Sequence, residues 1–441
     1  MAGEDKKILI IVYYWPPSGG SGVQRWMYFA KYLQEFGYEP IILTVSPEKA
    51  SYKDWDQSNC EKVKDIKAYK TNTFELLKLY SLFTSGSATK GIPQGHVGAK
   101  KNGMFGKVAS FIRGNLFIPD ARVGWKFYAI KEAKKIIAQE NINVIITSGP
   151  PHSTHLIGKS LKKQLKITWL ADFRDPWSEI YYIKELPRLG WAKNIDKKLE
   201  RQVLKEADQI LTIGPSLQNL LVNKIPEQAD KFHYIFNGYD SEAMNSVEST
   251  KDEFFKITFI GQFALAQPHE GLLSALELFC KEYVNDAQRI KICLAGTFDE
   301  IILMKFQQLP QVKVEFYGRI PHLESLRLMK NSQVLLNSLA EVEESKILIS
   351  GKLMEYISTG NPILCIGNLE GDAAMLLKSL PNSKIFTKFD VDGMHQFLKS
   401  NFDLWCSGNL NSHTSKDYIQ NSRYETTRQL AALLNNIQNY V

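Results

Sequence analysis

The chain has 441 residues, more than one ordinary domain, and its 44% hydrophobic and 23% charged residues exclude a disordered or fibrous protein. No run approaches the roughly 20 apolar residues of a membrane span, and five scattered cysteines without a CxxC pair argue against a zinc site and favour a reducing cytoplasm. The net charge of +7 is uneven, because residues 1–215 carry 33 Lys and Arg against 21 Asp and Glu.

The first half of the chain alternates buried strands with amphipathic helices. Apolar runs predict strands, and apolar residues at helical spacing predict helices. The predicted strands are 7–14, 40–45, 144–147, 168–171 and 209–213, and the predicted helices are 23–36, 127–139, 154–165 and 193–206. Residues 84–107 have six glycines, no acidic residue and little periodicity, which predicts a mobile surface loop.

The same alternation starts again after a polar linker near 241–252. The predicted strands are 256–260, 291–295, 312–317, 334–337 and 363–366, and the predicted helices are 271–283, 299–307, 322–330, 351–359 and 370–379. Two such blocks predict an α/β protein with two Rossmann-like, doubly wound lobes. We place the first lobe at 1–235, the second at 236–415, and a final helix at 416–441 that packs back across the lobes.

The loop after the first strand, Pro16 to Gly22, opens the first helix. Gly20 and Gly22 let backbone N–H groups approach an anion at the positive end of that helix. A dinucleotide-binding loop would read GxGxxG, but Arg25 stands at the third glycine position, and the end of the second strand, Thr44-Val45-Ser46-Pro47, has no acidic residue for a ribose. The loop therefore predicts either a phosphate contact or a tight structural turn, and a nicotinamide site is excluded.

Polar residues also follow two later strands of the first lobe. Ser148 and His152 come after one strand, and the next strand ends in Asp172-Phe173-Arg174-Asp175-Pro176-Trp177. Strand ends of open α/β sheets face the ligand crevice, so His152 is a candidate base. The two aspartates flanking Arg174 are candidates for binding substrate hydroxyls, and we expect Trp177 to be exposed as a stacking face. A local Asp–Arg pair that fixes the loop is the alternative.

A helix of the second lobe carries a second candidate site. Ser350 is a plausible N-cap and Gly360 a C-cap glycine. The helix N-terminus, with Gly351 and Lys352, is suited to a diphosphate, and Glu355 lies one turn further on, where a carboxylate can hold two ribose hydroxyls.

In this order, the segments resemble the GT-B glycosyltransferases of family 4, especially the bacterial branch of surface polysaccharides. The resemblance covers nearly the whole chain. It is carried by YYWPPSGGSGVQRWMYFAKYL, ITSGPPHSTHLIG, WLADFRDPW, FNGYD, ITFIGQF, VEFYGRIPHLESLRLMKNSQVLLN and GKLMEYISTGNPIL. It implies two Rossmann-like lobes facing each other across a cleft.

The resemblance also implies a retaining transfer of a sugar from a nucleoside diphosphate to a glycan or lipid-linked acceptor, without a cofactor or metal. The donor contacts would be Gly20, Gly22, Arg319, Ser350, Gly351, Lys352 and Glu355. The catalytic residues of the first lobe would be His152, Asp172, Arg174 and Asp175. Ser148 and Trp177 would touch the acceptor or the sugar.

Two positions depart from the family pattern. A glutamate expected eight residues before Glu355 is Ile347, and Gln262 stands where an arginine is usual. We expect Lys352 and Arg319 to neutralise the diphosphate instead, together with the amides of 350–352. The alternatives are a binding protein with eroded catalytic residues and a sugar-nucleotide epimerase of the same architecture.

The basic character of the first lobe suggests an anionic partner. Residues 76–119 contain no acidic residue, and residues 100–128 mix bases with Met, Phe, Ile, Leu and Trp. This pattern predicts either a peripheral contact with the inner face of an anionic membrane or a helix packed on the lobe. Aromatic and basic residues form no compact motif, so we expect no nucleic acid.

Overall fold

The computed structural model describes residues 6–50, 52, 55–74, 104–184, 186–250, 253–410 and 415–438. The chain divides into two compact units. Residues 1–236 and 426–441 form the first, called the first lobe below, and residues 237–425 form the second lobe.

The first lobe is built on a parallel sheet in the order β3-β2-β1-β4-β5-β6-β7. Its strands are β1 (Lys6–Ile11), β2 (Tyr38–Val45), β3 (Ala68–Thr71), β4 (Val144–Gly149), β5 (Thr168–Phe173), β6 (Gln209–Thr212) and β7 (Phe232–Tyr234). The central strands are buried along most of their length, which is why they read as continuous apolar runs.

Helices of the first lobe alternate with these strands. They are α1 (Ser21–Leu33), α2 (Ser58–Glu61), α3 (Met104–Leu116), α4 (Trp125–Glu140), α5 (Ser153–Gln164), α6 (Tyr181–Lys184), α7 (Gly190–Glu206) and α8 (Pro215–Val222). Short 3-10 turns follow α1 at Gln34–Phe36 and precede β7 at Pro226–Lys231. After the turn at Gln34–Phe36, Gly37 adopts the left-handed conformation, with φ of 76°, that a C-terminal glycine supplies.

The second lobe repeats the scheme with a parallel sheet in the order β10-β9-β8-β11-β12-β13. Its strands are β8 (Phe255–Phe263), β9 (Ile290–Phe298), β10 (Lys313–Phe316), β11 (Val334–Ser338), β12 (Ile363–Ile366) and β13 (Lys384–Phe386). One face packs into an aromatic-rich core that includes Phe255, Phe259 and Phe279.

The helices of the second lobe flank that sheet. They are α9 (Ser241–Asn245), α10 (Glu270–Glu282), α11 (Glu300–Gln307), α12 (His322–Lys330), α13 (Gly351–Thr359), α14 (Asp372–Lys378) and α15 (Val391–Cys406), with 3-10 turns at Val284–Arg289, Ser345–Ile347 and Ser415–Asn421. The last helix, α16 (Arg423–Gln438), returns the chain to the first lobe from residue 426 onward.

Two sequence expectations need correction here. Of the predicted loop 84–107, residues 84–103 lie outside the described residues, and 104–107 belong to α3. The last helix begins at Arg423, not at 416, because Ser422 forms a parallel bridge with Tyr239 that interrupts the preceding turn. Within the first lobe, Asn435 on that helix accepts hydrogen bonds from Lys6 and Tyr38.

The helices in the described part of the chain are all too short or too polar to cross a bilayer.

Candidate active site

The polar residues of the first lobe follow three neighbouring strands. The strand order reverses between β1 and β4, which are hydrogen-bonded to each other. The loop with Gly20 and Gly22 follows β1, Ser148 ends β4, and Asp172 ends β5. In open α/β sheets, ligands bind outside the carboxyl ends of the strands at such a reversal. The fold therefore brings the predicted segments to one edge of the sheet, where a ligand crevice is expected.

Asp172 is completely buried, and first-lobe donors surround its carboxylate. Oδ1 accepts a hydrogen bond from Arg25 Nε at 3.1 Å, and Oδ2 accepts from Trp26 Nε1 and Ser148 Oγ, both at 2.7 Å. Arg25 Nη1 donates to the carbonyl of Ile235. Burial lowers the pKa of Arg25, and Asp172 opposes that shift. These bonds hold α1 against β5, so Asp172 and Ser148 are better described as positioning groups than as substrate contacts.

The alternative of a local pair between Arg174 and a flanking aspartate is wrong, because Arg174 forms no ion pair with Asp172 or Asp175. Its guanidinium donates instead to the backbone carbonyls of Gly22, Gly149 and Pro150. The first of these carbonyls lies in α1, just after the loop that follows β1, and the other two lie at the end of β4. Arg174 therefore fixes the spacing of two segments at the sheet edge.

His152 lies directly before α5, and its ring is buried. Neither ring nitrogen has a hydrogen-bond partner among the described residues. Burial holds the pKa of His152 well below its ordinary value, and the nearby His155 and Arg174 lower it further, so the ring is neutral at pH 7. A neutral imidazole with two unbonded nitrogens can exchange a hydrogen bond or a proton with a substrate hydroxyl.

The expectation that Trp177 is exposed is wrong. The indole is completely buried, and its Nε1 donates to Asp196 Oδ1 at 2.7 Å. One face of the indole is covered by His152, with the ring centroids 5.0 Å apart and an angle of 10° between the planes. Trp177 therefore supports the His152 ring and has no open face for a sugar.

Asp175 keeps its acceptor oxygens available. It is half-buried, and no described residue hydrogen-bonds to its carboxylate. Burial raises the pKa of Asp175, and the Arg174 charge partly offsets that shift. On the loop after β1, Gly20 is exposed with a φ of 82°, and α1 begins after it without a side-chain cap. Asp175 and the amides at Gly20 are accessible to a ligand, whereas the two unbonded nitrogens of His152 are buried.

In the second lobe, three glycines end neighbouring strands and form a shelf of bare backbone. Gly261 on β8 and Gly296 on β9 are partners in register, with φ of 114° and 120°, and the Gly318 carbonyl accepts from Gly296 N at 2.6 Å. A Cβ on Gly296 would lie 2.1 Å from the Gly261 carbonyl oxygen. The shelf, Gly261 with Gly296 and Gly318, therefore admits no side chain at its centre and lets a flat ligand approach the backbone.

The helix α13 begins near this shelf without a side-chain cap. Ser350 occupies the N-cap position, but its hydroxyl donates to Asn337 Oδ1 at 3.0 Å, so the predicted capping bond does not form. Because the helix N-terminus carries partial positive charge, the amides at Gly351 and Lys352 remain suited to an anion.

The side chain of Lys352 places a buried amino group beside the glycine shelf. Its Nζ is buried without a hydrogen-bond partner among the described residues, although part of its stem is exposed. It lies 3.6 Å from the centroid of the Phe259 ring, and a Cβ built on Gly261 would lie 3.2 Å from it. Burial lowers the pKa of Lys352 to about 7. A buried amine without a partner is costly unless a ligand supplies the counter-charge.

Glu355 and Arg319 of the second lobe have different surroundings. Glu355 is mostly buried, and its Oε1 lies 2.8 Å from His322 Nε2. Arg319 is exposed, and its Nε donates to Thr297 Oγ1 at 3.2 Å. Glu355 is therefore held in one orientation by His322, whereas among the described residues Arg319 is fixed by a single side-chain bond to the end of β9.

The two departures from the family pattern occupy different environments. Ile347 is buried in the 3-10 turn before α13, so it belongs to the packing of that turn. Gln262 is exposed on β8, one residue after Gly261 and therefore next to the position that Lys352 Nζ approaches. Lys352 thus places a cation near the position where the family pattern has an arginine.

Comparison with known proteins agrees with this architecture. Residues 98–243 match the model of Glycosyltransferase Family 4. The matched segment lies almost entirely in the first lobe, which is therefore similar to family 4 glycosyltransferases over that part of the chain. The two Rossmann-like lobes together form the GT-B fold. No curated protein sequence matches the chain closely.

Solved structures share the fold over nearly the whole chain at low sequence identity. A glycosyltransferase from Rickettsia africae is 13% identical, with a TM-score of 0.61, covering 98% of this chain and 99% of its own. The lipopolysaccharide outer core galactosyltransferase WaaB is 12% identical, with a TM-score of 0.58. The match covers 97% of this chain and 99% of WaaB. The UDP-GlcNAc 2-epimerase from Neisseria meningitidis, bound to UDP-GlcNAc, is 10% identical, with a TM-score of 0.54, covering 98% and 100%.

Sequence reasoning missed the partners of the site residues. From the sequence, Arg25 served only as evidence against a GxGxxG loop, because it replaces the third glycine. His322 was not predicted as a site residue. Arg25 has a local signal, because it stands among the apolar residues of a helix that enters the core. His322 has none, since only the fold brings it to Glu355, 33 residues further along the chain.

Proposed function

We propose that the protein is a retaining glycosyltransferase that moves a sugar from a nucleoside-diphosphate donor to a glycan or lipid-linked acceptor in surface-polysaccharide synthesis. The observation that carries the proposal is Lys352. Its buried ammonium has no counter-charge among the described residues and lies beside the uncapped N-terminus of α13. A diphosphate bound there would supply the missing negative charge.

The same arrangement suits the chemistry of sugar transfer. When the bond between the sugar and the diphosphate breaks, negative charge grows on the leaving group. Fixed positive groups stabilise that charge in the transition state, and one such donor typically contributes about 3–4 kcal/mol. Lys352 and the amides of Gly351 and Lys352 would supply it, without a metal or another cofactor. Glu355, oriented by His322, would hold the ribose hydroxyls.

The first lobe would bind the acceptor. Among the described residues, neither ring nitrogen of His152 has a hydrogen-bond partner and no donor reaches the Asp175 carboxylate. Both groups accept hydrogen bonds from hydroxyls, which a glycan acceptor has in abundance. The surface-polysaccharide role is supported by the sequence resemblance and by the shared fold with WaaB.

The experiment is a donor panel assayed by release of free nucleoside diphosphate. UDP-, GDP-, ADP- and dTDP-sugars are incubated with chelator, with and without glycan and lipid-linked acceptors. We expect one nucleotide to be released, faster with one acceptor, and we expect NMR to show that the product keeps the anomeric configuration of the donor. An inverted product would overturn the retaining mechanism, and complete inhibition by chelator would overturn metal independence.

Two alternatives have observations in their favour. Epimerases share the fold, as the Neisseria meningitidis structure shows. An epimerase would interconvert the donor sugar without any acceptor, which NMR of the donor alone detects. Ile347 and Gln262 favour a second alternative, a binding protein without activity. Such a protein would bind one nucleotide sugar in calorimetry and release no diphosphate with any acceptor.

A further inference from the structure

The exposed side of α7 and the neighbouring part of α3 form a surface that combines cations with large apolar side chains. We define the basic-apolar face as Leu189, Trp191, Lys193, Ile195, Lys197, Lys198 and Arg201, with Val108, Phe111 and Leu116 of α3. All ten residues are exposed. Its apolar members include Trp191, 48% exposed, and Leu116, 64% exposed.

The first three turns of α7 have a one-sided distribution of charge. Residues 190–201 contain two acids, Asp196 and Glu200, and both are buried. Asp196 accepts from Trp177 and Arg188, and Glu200 pairs with Lys224 at 2.7 Å. The exposed positions of this segment therefore carry no negative charge.

The cations of the face are not paired with other described residues. Lys193, Lys197, Lys198 and Arg201 form no ion pair with any residue that the structure describes. By contrast, Lys159 and Lys162 on the neighbouring α5 pair with Glu206 and Asp208. Four free cations on one helical surface attract an anionic partner.

The apolar part is fixed in place rather than loosely attached. Asn115 on α3 accepts from Leu189 N at 2.7 Å and donates to the carbonyl of Pro187 at 2.8 Å. Arg188 Nε donates to the carbonyl of Gly114 at 2.9 Å. Leu116 and Leu189 directly adjoin these bonds, so the apolar residues of α3 and of the start of α7 belong to one surface.

We propose that the basic-apolar face docks the protein on an anionic lipid bilayer. Trp191, Ile195 and Leu116 would enter the boundary between headgroups and acyl chains, and the lysines would extend their ammonium groups to lipid phosphates. Tryptophan at the headgroup level and basic residues at its rim are the combination that interfacial helices use. The inference does not depend on the proposed transferase activity, because vesicle binding is measured without donor or acceptor.

The test is flotation of the full chain with vesicles of phosphatidylcholine alone and of phosphatidylcholine with one part in three phosphatidylglycerol. We expect binding to the anionic vesicles only, weakened by salt. We expect Trp191→Ser/Ile195→Ser and Lys197→Glu/Lys198→Glu each to weaken it at least about tenfold. All four positions are exposed, so thermal unfolding should stay near that of the unchanged protein.

A matched control comes from the second lobe. Phe389 is 80% exposed next to Lys388, which pairs with Glu341. Phe389→Ser should leave vesicle binding unchanged. The proposal fails if anionic vesicles do not bind, or if the α7 variants bind them as well as the unchanged protein does. It also fails if duplex DNA competes the protein off the vesicles through the same residues, or if sedimentation shows a dimer that the α7 variants dissociate.

Discussion

In the first lobe the buried carboxylate of Asp172 meets donors from Arg25, Trp26 and Ser148, whereas in the second lobe the buried ammonium of Lys352 meets none among the described residues. Both groups lie near the strand reversal of their sheet. The first network is complete and holds helix to strand. The second is incomplete among the described residues, and we propose that an anion completes it. A buried charge at a strand end thus indicates a ligand only when the fold leaves that charge unpaired.

The largest effect should come from breaking the complete network. Asp172→Asn leaves the Arg25 guanidinium buried without its counter-charge, and losing one partner of a buried pair costs about 3–5 kcal/mol. Urea unfolding should show this loss. Asp175→Asn, at a half-buried carboxylate without donors, should change the free energy of unfolding far less. Equal losses in the two variants would contradict the contrast drawn here.

The incomplete network should respond in the opposite way. Lys352→Met removes a buried amine that has no hydrogen-bond partner among the described residues, so the free energy of unfolding should stay the same or rise. Nucleoside-diphosphate binding should weaken by about 1.5–3 kcal/mol, the contribution of a charge-assisted hydrogen bond. Calorimetry measures both the affinity and, with added ligand, the unfolding midpoint. Lys346→Met, at an exposed lysine paired with Glu370, is the control; a loss as large in that variant would remove Lys352 from the donor site.

The pH dependence of binding sharpens the same contrast. With a pKa of about 7 in the free protein, Lys352 is neutral above pH 7, and an anion that binds it must also bring in a proton. Affinity should therefore be full well below pH 7 and fall as pH rises, by roughly 25-fold between pH 6.5 and 8.5. Cys365, the ionisable side chain that interacts with Lys352, has a pKa that burial raises to about 12, so it stays a neutral thiol.

The same shift predicts the stability of the empty protein. Unfolded Lys352 keeps its proton to about pH 10.5 while the folded protein loses it near pH 7, so the unfolded state binds more protons between these values. The free energy of unfolding should therefore gain from Lys352 as pH rises from 7 to 10.5. Lys352→Met should lack this gain and should bind diphosphate with no pH dependence beyond that of the ligand. An unchanged pH profile in the variant would assign the titration to another group.

The smallest effect should be at the ribose. Glu355→Gln should weaken nucleoside-diphosphate binding by about 1–1.5 kcal/mol while leaving inorganic pyrophosphate binding unchanged, because only the nucleotide has a ribose. Isothermal titration with both ligands separates the two contributions. Glu324→Gln, at an exposed glutamate on α12, is the matched change. If pyrophosphate binding weakened equally, Glu355 would act on the diphosphate and not on the sugar.

The sequence predicted the central elements closely and the edges poorly. The strand Ile363–Ile366 and the helices His322–Lys330 and Gly351–Thr359 were predicted to the residue. Three of the four edge strands, β3, β7 and β13, were missed, and all three have mixed burial, whereas the fourth, β10, was predicted one residue too long at each end. An edge strand is covered less completely, so it lacks the continuous apolar run that identifies a buried strand.

For the candidate site, the sequence predicted the positions of several residues but not their partners. Sequence placed Asp172, His152 and Lys352 near the ends of strands or at the start of a helix, because those positions follow from the alternation of elements. It did not predict that Asp172 pairs with Arg25, 147 residues away, or that Trp177 is buried under His152. Pairings of this kind depend on which strands become neighbours, and no local pattern records that choice.

The glycine shelf limits how the second lobe can change its ligand. A methyl group on Gly296 would collide with the backbone of the neighbouring strand, so substitution at the centre of the shelf would disturb the sheet before it altered recognition. If the shelf binds a nucleotide, as we propose, selectivity for that nucleotide depends on exposed side chains beside the shelf, such as Thr297 and Arg319. Relatives that prefer different nucleotides should therefore differ at those exposed positions while keeping the glycine shelf.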